Sequence, residues 1–232
     1  MNNNLLQIKI KQRLNKLASL DYDNFECWQI QEAFNKAQIE WTRRQLYGIN
    51  IRKEGAEQSS GLVDDLQRLL KFELLPMVDK RIYAEGDIPA DYLHYVRTDV
   101  FAKKSCCPSR RMTVYQVEEA NIAVILNNKD KQPDFDWAET VSTLVNNRLR
   151  VYTNDEFEID EAYLYYFRKP REVQFNGCID IVNNTVFTAD QETEFNDDVA
   201  EVIVDQAVAI LAGDIESIVQ YQREQQVVQS NS

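Results

Sequence analysis

The chain has 232 residues, 44% hydrophobic and 10% aromatic, which is enough apolar material for a real core and too much for a disordered polymer. Its formal net charge of −12 argues against wrapping nucleic acid or docking on an acidic membrane. The four cysteines, Cys27, Cys106, Cys107 and Cys178, make no disulfide framework or metal-ligand spacing, so a soluble chain with reduced thiols, no membrane span and no leader is expected.

Leu5 to Leu20 reads as a helix, with Leu6, Ile10, Leu14 and Leu17 at three- and four-residue steps. Asp21 to Asn24 breaks it, and a second helix from Phe25 to Tyr47 carries Ile30, Ala33, Phe34, Ala37 and Trp41 on one face, ending at Gly48. So short a break predicts an antiparallel helical hairpin. Residues 48–61 hold three glycines among polar side chains and read as a loop, followed by a short helix from Leu62 to Leu70.

Beyond it the periodicity shortens to two. Strands are expected at Phe72–Val78, Met112–Val117, Leu149–Thr153, Phe157–Phe167 and Cys178–Phe187, with turns at Gly86-Asp87, Asn127-Asn128, Asn154-Asp155 and Asn183-Asn184. Asp136 to Val145 reads as a short helix capped by Asp134 or Asp136. The stretch Ile159 to Pro170 is apolar on both faces: Ile159, Tyr163, Tyr165 and Phe167 on one, Ala162, Leu164 and Tyr166 on the other. Such a strand belongs inside a layer, and a polar replacement of Tyr165 or Phe167 is expected to unfold it. From Asn196 to about Gln226 a broad apolar stripe returns, with Glu194, Asp197 and Asp198 where a helix dipole favours negative charge.

These elements predict an α+β fold: an N-terminal helical hairpin, a small antiparallel β-sheet of hairpins in the middle, and a long C-terminal amphipathic helix. The divisions fall at 1–70, 71–190 and 191–232, packed as one domain. Charge is uneven across them. Residues 1–20 hold Lys9, Lys11, Arg13 and Lys16 and no acidic residue, whereas residues 185–232 hold ten acidic side chains against Arg223 alone.

No reaction is written in this pattern. The one histidine, His94, alternates with aromatics in Tyr92-Leu93-His94-Tyr95 and reads as structural. Cys106-Cys107-Pro108 has Lys103, Lys104, Arg110 and Arg111 around it, which would lower a thiol pKa, but no base lies nearby and an ordinary surface connection is expected. The acidic run Asp190 to Asp205 lacks calcium-loop spacing, and neither GxGxxG nor GxxxxGK[ST] occurs. No catalytic residue, metal site or cofactor is therefore expected.

The run Ala33-Phe34-Asn35-Lys36-Ala37-Gln38-Ile39-Glu40-Trp41, with Arg43-Arg44 and the loop to Asp64-Asp65-Leu66, resembles a neck protein of crAss-like phages. The later half, from Tyr165-Tyr166-Phe167-Arg168-Lys169-Pro170 through an acidic start at Glu192–Asp198 to Gly213-Asp214-Ile215-Glu216, is similar to head-to-tail adaptors of short-tailed phages. The resemblance implies a non-enzymatic virion protein at the portal vertex, made in the host cytoplasm. It would form a ring of identical subunits, twelve by analogy, between the portal protein and the next neck or tail ring. DNA would pass through without sequence-specific binding.

On that reading the acidic Asp197, Asp198, Glu201 and Asp205 face the lumen, because repelling phosphates lets DNA slide where a basic lining would hold it. Lys9, Lys11, Arg13 and Lys16 would meet the acidic segment of a neighbouring subunit. The C-terminal stretch with Tyr221, Arg223, Val227 and Val228 would dock on the portal. The alternative from a different class is a non-enzymatic intracellular scaffold or regulatory binding protein.

Overall fold

The computed structural model describes residues 1–15, 25–47, 65–180, 183–214 and 226–227. Four α-helices lie among them: α1 (Asn3–Asn15), α2 (Cys27–Tyr47), α3 (Ile122–Leu126) and α4 (Asp197–Asp214). The chain divides into two units, Met1–Arg68 with Pro170–Ser232, and Leu69–Lys169 between them. Of the expected helix from Leu62 to Leu70, residues 62–64 lie outside the described residues, 65–66 are helical, and a 3-10 helix follows at Gln67–Leu69.

In the first unit the apolar periodicity does its expected work. Leu6, Ile10 and Leu14 of α1 and Ile30, Ala33, Phe34, Ala37 and Trp41 of α2 are all buried. The two helices do not pair as a hairpin, however; each packs on α4 and they scarcely meet. The reason is the width of the α4 stripe: Val199, Ala200, Ile203, Val204, Ala207, Val208, Leu211 and Ala212 are all buried, covering more than one face. Its alanines let a neighbouring backbone come close, and Trp41 meets Phe195 edge-on at 5.2 Å just before α4 begins.

α2 also presents amides at helical spacing to the strand-poor segment after Pro170. Asn35 donates to the Val173 carbonyl at 3.1 Å and accepts from the Val173 amide at 2.7 Å. Gln31 accepts from the Phe175 amide, and the buried Gln38 donates to the Arg171 carbonyl while accepting from Thr193. From α1, the buried Asn3 donates to the Gln174 carbonyl and to Asp190. The segment's backbone groups thus find side chains where a sheet would have supplied strands.

A covalent tie was not anticipated. Cys27, the first residue of α2, is disulfide-bonded to Cys178, 151 positions later, with a Cα–Cα distance of 5.9 Å. The expectation of four reduced thiols is corrected accordingly: spacing in sequence carries no information on a pair brought together by tertiary folding. Cys178 leads into the hairpin β9 (Ile179–Asp180) and β10 (Thr185–Val186), which stands where a strand pair was expected.

The second unit is larger than a small antiparallel sheet. Eight strands, β1 (Leu70–Leu75), β2 (Val78–Asp79), β3 (Tyr83–Asp87), β4 (Tyr92–Lys104), β5 (Cys107–Gln116), β6 (Glu139–Val145), β7 (Arg148–Tyr152) and β8 (Glu158–Arg168), form one sheet in the order β1-β8-β4-β5-β6-β7-β3-β2. The β5–β6 pair is parallel, so the sheet is mixed, and the chain between them makes the crossover that includes α3. β1 and β2 stand at opposite ends of this order yet are joined only by Pro76-Met77, so the sheet must curl until its edges approach. Gly86 on β3 marks the closure: a Cβ there would lie 2.9 Å from Met77 Sδ and 3.3 Å from Leu75 Cβ.

The core fills the inside of the curl with Leu75, Val100, Ala102, Met112, Phe135, Leu149, Val151, Phe157, Ala162, Leu164 and Tyr166. Two expectations are corrected here. Asp136 to Val145 is a turn and then a strand, because Thr140, Val141, Thr143 and Val145 are β-branched and Asn146-Asn147, both at positive φ, close a two-residue hairpin to Arg148. Gly86-Asp87 is the end of β3 rather than a turn.

Candidate functional site

β8 lies between β1 and β4, and its two faces have different fates. Ala162, Leu164 and Tyr166 are fully buried, whereas Tyr163, Tyr165 and Phe167 are half-exposed. The register places Leu70 opposite Phe167, Phe72 opposite Tyr165, and Leu74 opposite Tyr163. Directly opposed residues share a face, so six apolar side chains form an outward ladder on two adjacent strands. Phe72 is 63% exposed and Leu74 51% exposed.

The ladder has internal order. The Phe72 and Tyr165 rings stack at 5.5 Å with an interplanar angle of 23°, and the Arg97 guanidinium of β4 lies 4.2 Å from the Tyr165 centroid. Phe101 meets Tyr163 edge-on at 6.4 Å. Charges at the border are engaged with one another: Asp99 pairs with Arg97 at 3.4 Å and accepts from Arg111 at 3.0 Å, and Lys103 stands 3.6 Å from Asp160. What faces outward is therefore an apolar, aromatic surface of defined geometry, with a neutralised rim. Contiguous exposed apolar surface of this kind is the sort of face on which a protein, a membrane or a ligand docks.

Behind the ladder, Tyr166 fixes the other face of β8. Its hydroxyl donates to Asp91 at 2.8 Å, with Glu73 at 3.2 Å as a second acceptor, and Lys71 bridges both carboxylates at 3.1 and 3.2 Å. Burial and the Asp91 carboxylate push the Tyr166 pKa up to about 12. Burial opposes ionisation of Asp91, yet hydrogen bonds from Tyr166 and Lys71 outweigh it and hold Asp91 below its usual pKa. Hydrogen bonds to Tyr166, Glu73 and Asp91 raise the Lys71 pKa. The network locks the β1–β8 register from the inside.

The charged residues of the two terminal helices meet within one chain. Glu201 pairs with Lys9 and Arg13, and Asp205 pairs with Arg13. Lys11 is half-buried on α1, and Lys16 lies outside the described residues. Asp197 and Asp198 sit exposed in the first turn of α4, where the dipole favours them, and Asp197 pairs with the N-terminal ammonium at 2.7 Å. Of the expected docking tail, Tyr221, Arg223 and Val228 lie outside the described residues, and Val227 is half-buried.

His94 stands in β4 opposite Phe167, with its pKa lowered by burial. Cys106 and Cys107 are both exposed at the tip of the β4–β5 hairpin. Asp134, Asp136 and Glu156 bring carboxylate oxygens within 4.8 Å of one another, and Lys104 lies 2.8 Å from Glu156. No helix among the described residues is long and apolar enough to cross a membrane.

The sequence reading missed β1's part in the ladder and the role of Arg97. The signal was present, since Leu70, Phe72 and Leu74 alternate with Lys71 and Glu73 in the pattern of a strand with one apolar face. No protein-family model matches the chain, and no curated protein matches it.

Proposed function

We propose that this chain is a structural protein of a phage neck, one of a ring of identical subunits, twelve by analogy, that joins the portal to the next tail component. The observation that carries the assembly reading is the outward ladder of Leu70, Phe72, Leu74, Tyr163, Tyr165 and Phe167 on an otherwise acidic chain. A chain of net charge −12 has abundant polar side chains for a solvated face, so six apolar ones in register call for a protein partner. The phage assignment rests on the resemblance in α2 and in the segment after β8, to which the ladder adds a physical means of assembly.

On this reading the ladder is the contact to a neighbouring component, displacing the basic α1 residues from that role. Lys9 and Arg13 already neutralise Glu201 and Asp205 in the same chain. The lumen-facing acidic residues are then Asp197, which is paired with the N-terminal ammonium, and Asp198, whose charge repels DNA phosphates and keeps passage from being held. The protein has no catalytic role in this account, and DNA recognition is not sequence-specific.

The test is to mix the purified chain with the portal protein of the same genome and image the product. Ring-shaped particles carrying both proteins are expected. Replacing Phe72→Glu should remove them while leaving the circular dichroism spectrum unchanged. Rings that form equally well with Phe72→Glu would move the contact elsewhere.

A further inference from the structure

Cys106 and Cys107 occupy the tip of the β4–β5 hairpin, where Lys104 pairs with Cys107 and Ser105-Cys106 form the two-residue loop. Both side chains are exposed, and their sulfurs lie 2.7 Å apart. Lys104 is held by Glu156 beside them, and Arg110 donates to the Phe135 and Asp136 carbonyls. The Cys107 pKa is raised, first by its hydrogen bond with Cys106.

We propose that Cys106 and Cys107 are a redox-active dithiol that a low-molecular-weight disulfide oxidises to a disulfide between the two neighbouring residues. The thiolate of one cysteine attacks a sulfur of the small disulfide, forming a mixed disulfide and expelling one small thiolate. The second cysteine, having lost its proton to solvent, then attacks the protein-side sulfur. That expels the second small thiolate and closes the Cys106–Cys107 bond. The protein gives up two electrons and two protons, and the small disulfide becomes two thiols.

Two physical terms set the character of this site. The second thiol is one residue away, so ring closure is intramolecular and needs no second encounter from solution. Against that, adjacent Cα atoms are about 3.8 Å apart, below the usual span of about 4.4–6.8 Å for bridged cysteines. The bond is therefore strained and readily reduced, the behaviour of a labile rather than a structural disulfide. The contrast with Cys27–Cys178, whose Cα atoms stand 5.9 Å apart, lies within the same molecule.

The experiment uses the full chain, exposed to oxidised glutathione, alkylated with iodoacetamide and mapped by peptide mass. The peptide holding Cys106 and Cys107 should be two hydrogens lighter than the dithiol, without glutathione, and should return to the dithiol on adding reduced glutathione. Cys107→Ser should instead retain one glutathione on Cys106, because the resolving thiol is gone. A wild-type peptide that keeps glutathione, or that is recovered fully alkylated, overturns the proposal. The Cys27 and Cys178 peptides are read separately and do not enter the result.

Discussion

Phe72 on β1 stacks on Tyr165 of β8 at 5.5 Å while remaining 63% exposed, and this pair sits at the middle of the outward ladder. Its contribution to stability is small, since such a pair is worth about 0.5–1.5 kcal/mol beyond area burial. Tyr165→Ser should therefore lower unfolding free energy by no more than about 2 kcal/mol, with assembly lost. Leu164→Ala, one residue along and fully buried, should cost about 2–5 kcal/mol. Urea denaturation of both variants checks the contrast. It also revises the expectation that polar replacement of Tyr165 or Phe167 unfolds the sheet, because only the inward side of β8 is closed to water.

The Tyr166 network gives a pH signature. A solvated tyrosine ionises near 10, whereas folded Tyr166 holds its proton to about 12. Between these values the unfolded chain binds fewer protons than the folded one. Stability from this group is thus complete below about pH 10 and is lost as pH rises toward 12, by roughly 1–3 kcal/mol. Lys71, also raised, contributes in the same direction. Tyr166→Phe should reduce the alkaline slope of unfolding free energy against pH without abolishing it. An unchanged slope would show that the hydroxyl is not held by Asp91.

Arg13 links α1 to α4 through Glu201 and Asp205, and Asp205 is only 17% exposed at its side chain. A double-mutant cycle with Arg13→Ala and Asp205→Ala should return a coupling of about 0.5–1.5 kcal/mol, weakened in high salt because the pair is partly solvated. Additive effects would place these charges outside the contact that joins the two helices.

The Cys27–Cys178 bond closes a long loop and ties the start of α2 to the β9–β10 hairpin. Cys27→Ser should lower stability by about 2–5 kcal/mol, and dithiothreitol should do the same to the wild type. Thermal melts that do not move under dithiothreitol would contradict it.

The parts of the fold legible in sequence are those set by local pattern. α1, α2, α4 and β8 each carry a period of 3.6 or 2, and the Asn154-Asp155 and Asn183-Asn184 turns are made where Asn154, Asp155 and Asn184 adopt positive φ. β4, the longest strand, was seen only in its Tyr92–Tyr95 start. Its register against β8 shifts near Tyr92, near Tyr95 and again at Phe101, and each shift breaks the alternation. β6 reads as a helix locally because Asp134 and Asp136 resemble caps, whereas the β-branched run after them favours the strand that forms.

The ladder was half legible. Tyr163, Tyr165 and Phe167 are legible as an apolar face, but whether another layer covers that face is set by tertiary folding, which no local pattern records. The Arg13–Asp205 and Cys27–Cys178 links were hidden for a related reason. Each joins residues more than 150 positions apart, and the sequence marked their chemistry without marking their meeting.

Reconstruction of the portal vertex of virions from the source of this sequence tests the proposal that this chain builds a phage neck ring. The account predicts a closed ring of identical copies of this chain next to the portal, with Phe72 and Tyr165 covered by a neighbouring component and Asp197 and Asp198 toward the channel. Virions whose neck is traced completely without this chain, and whose proteins contain no peptide of it, would contradict the account.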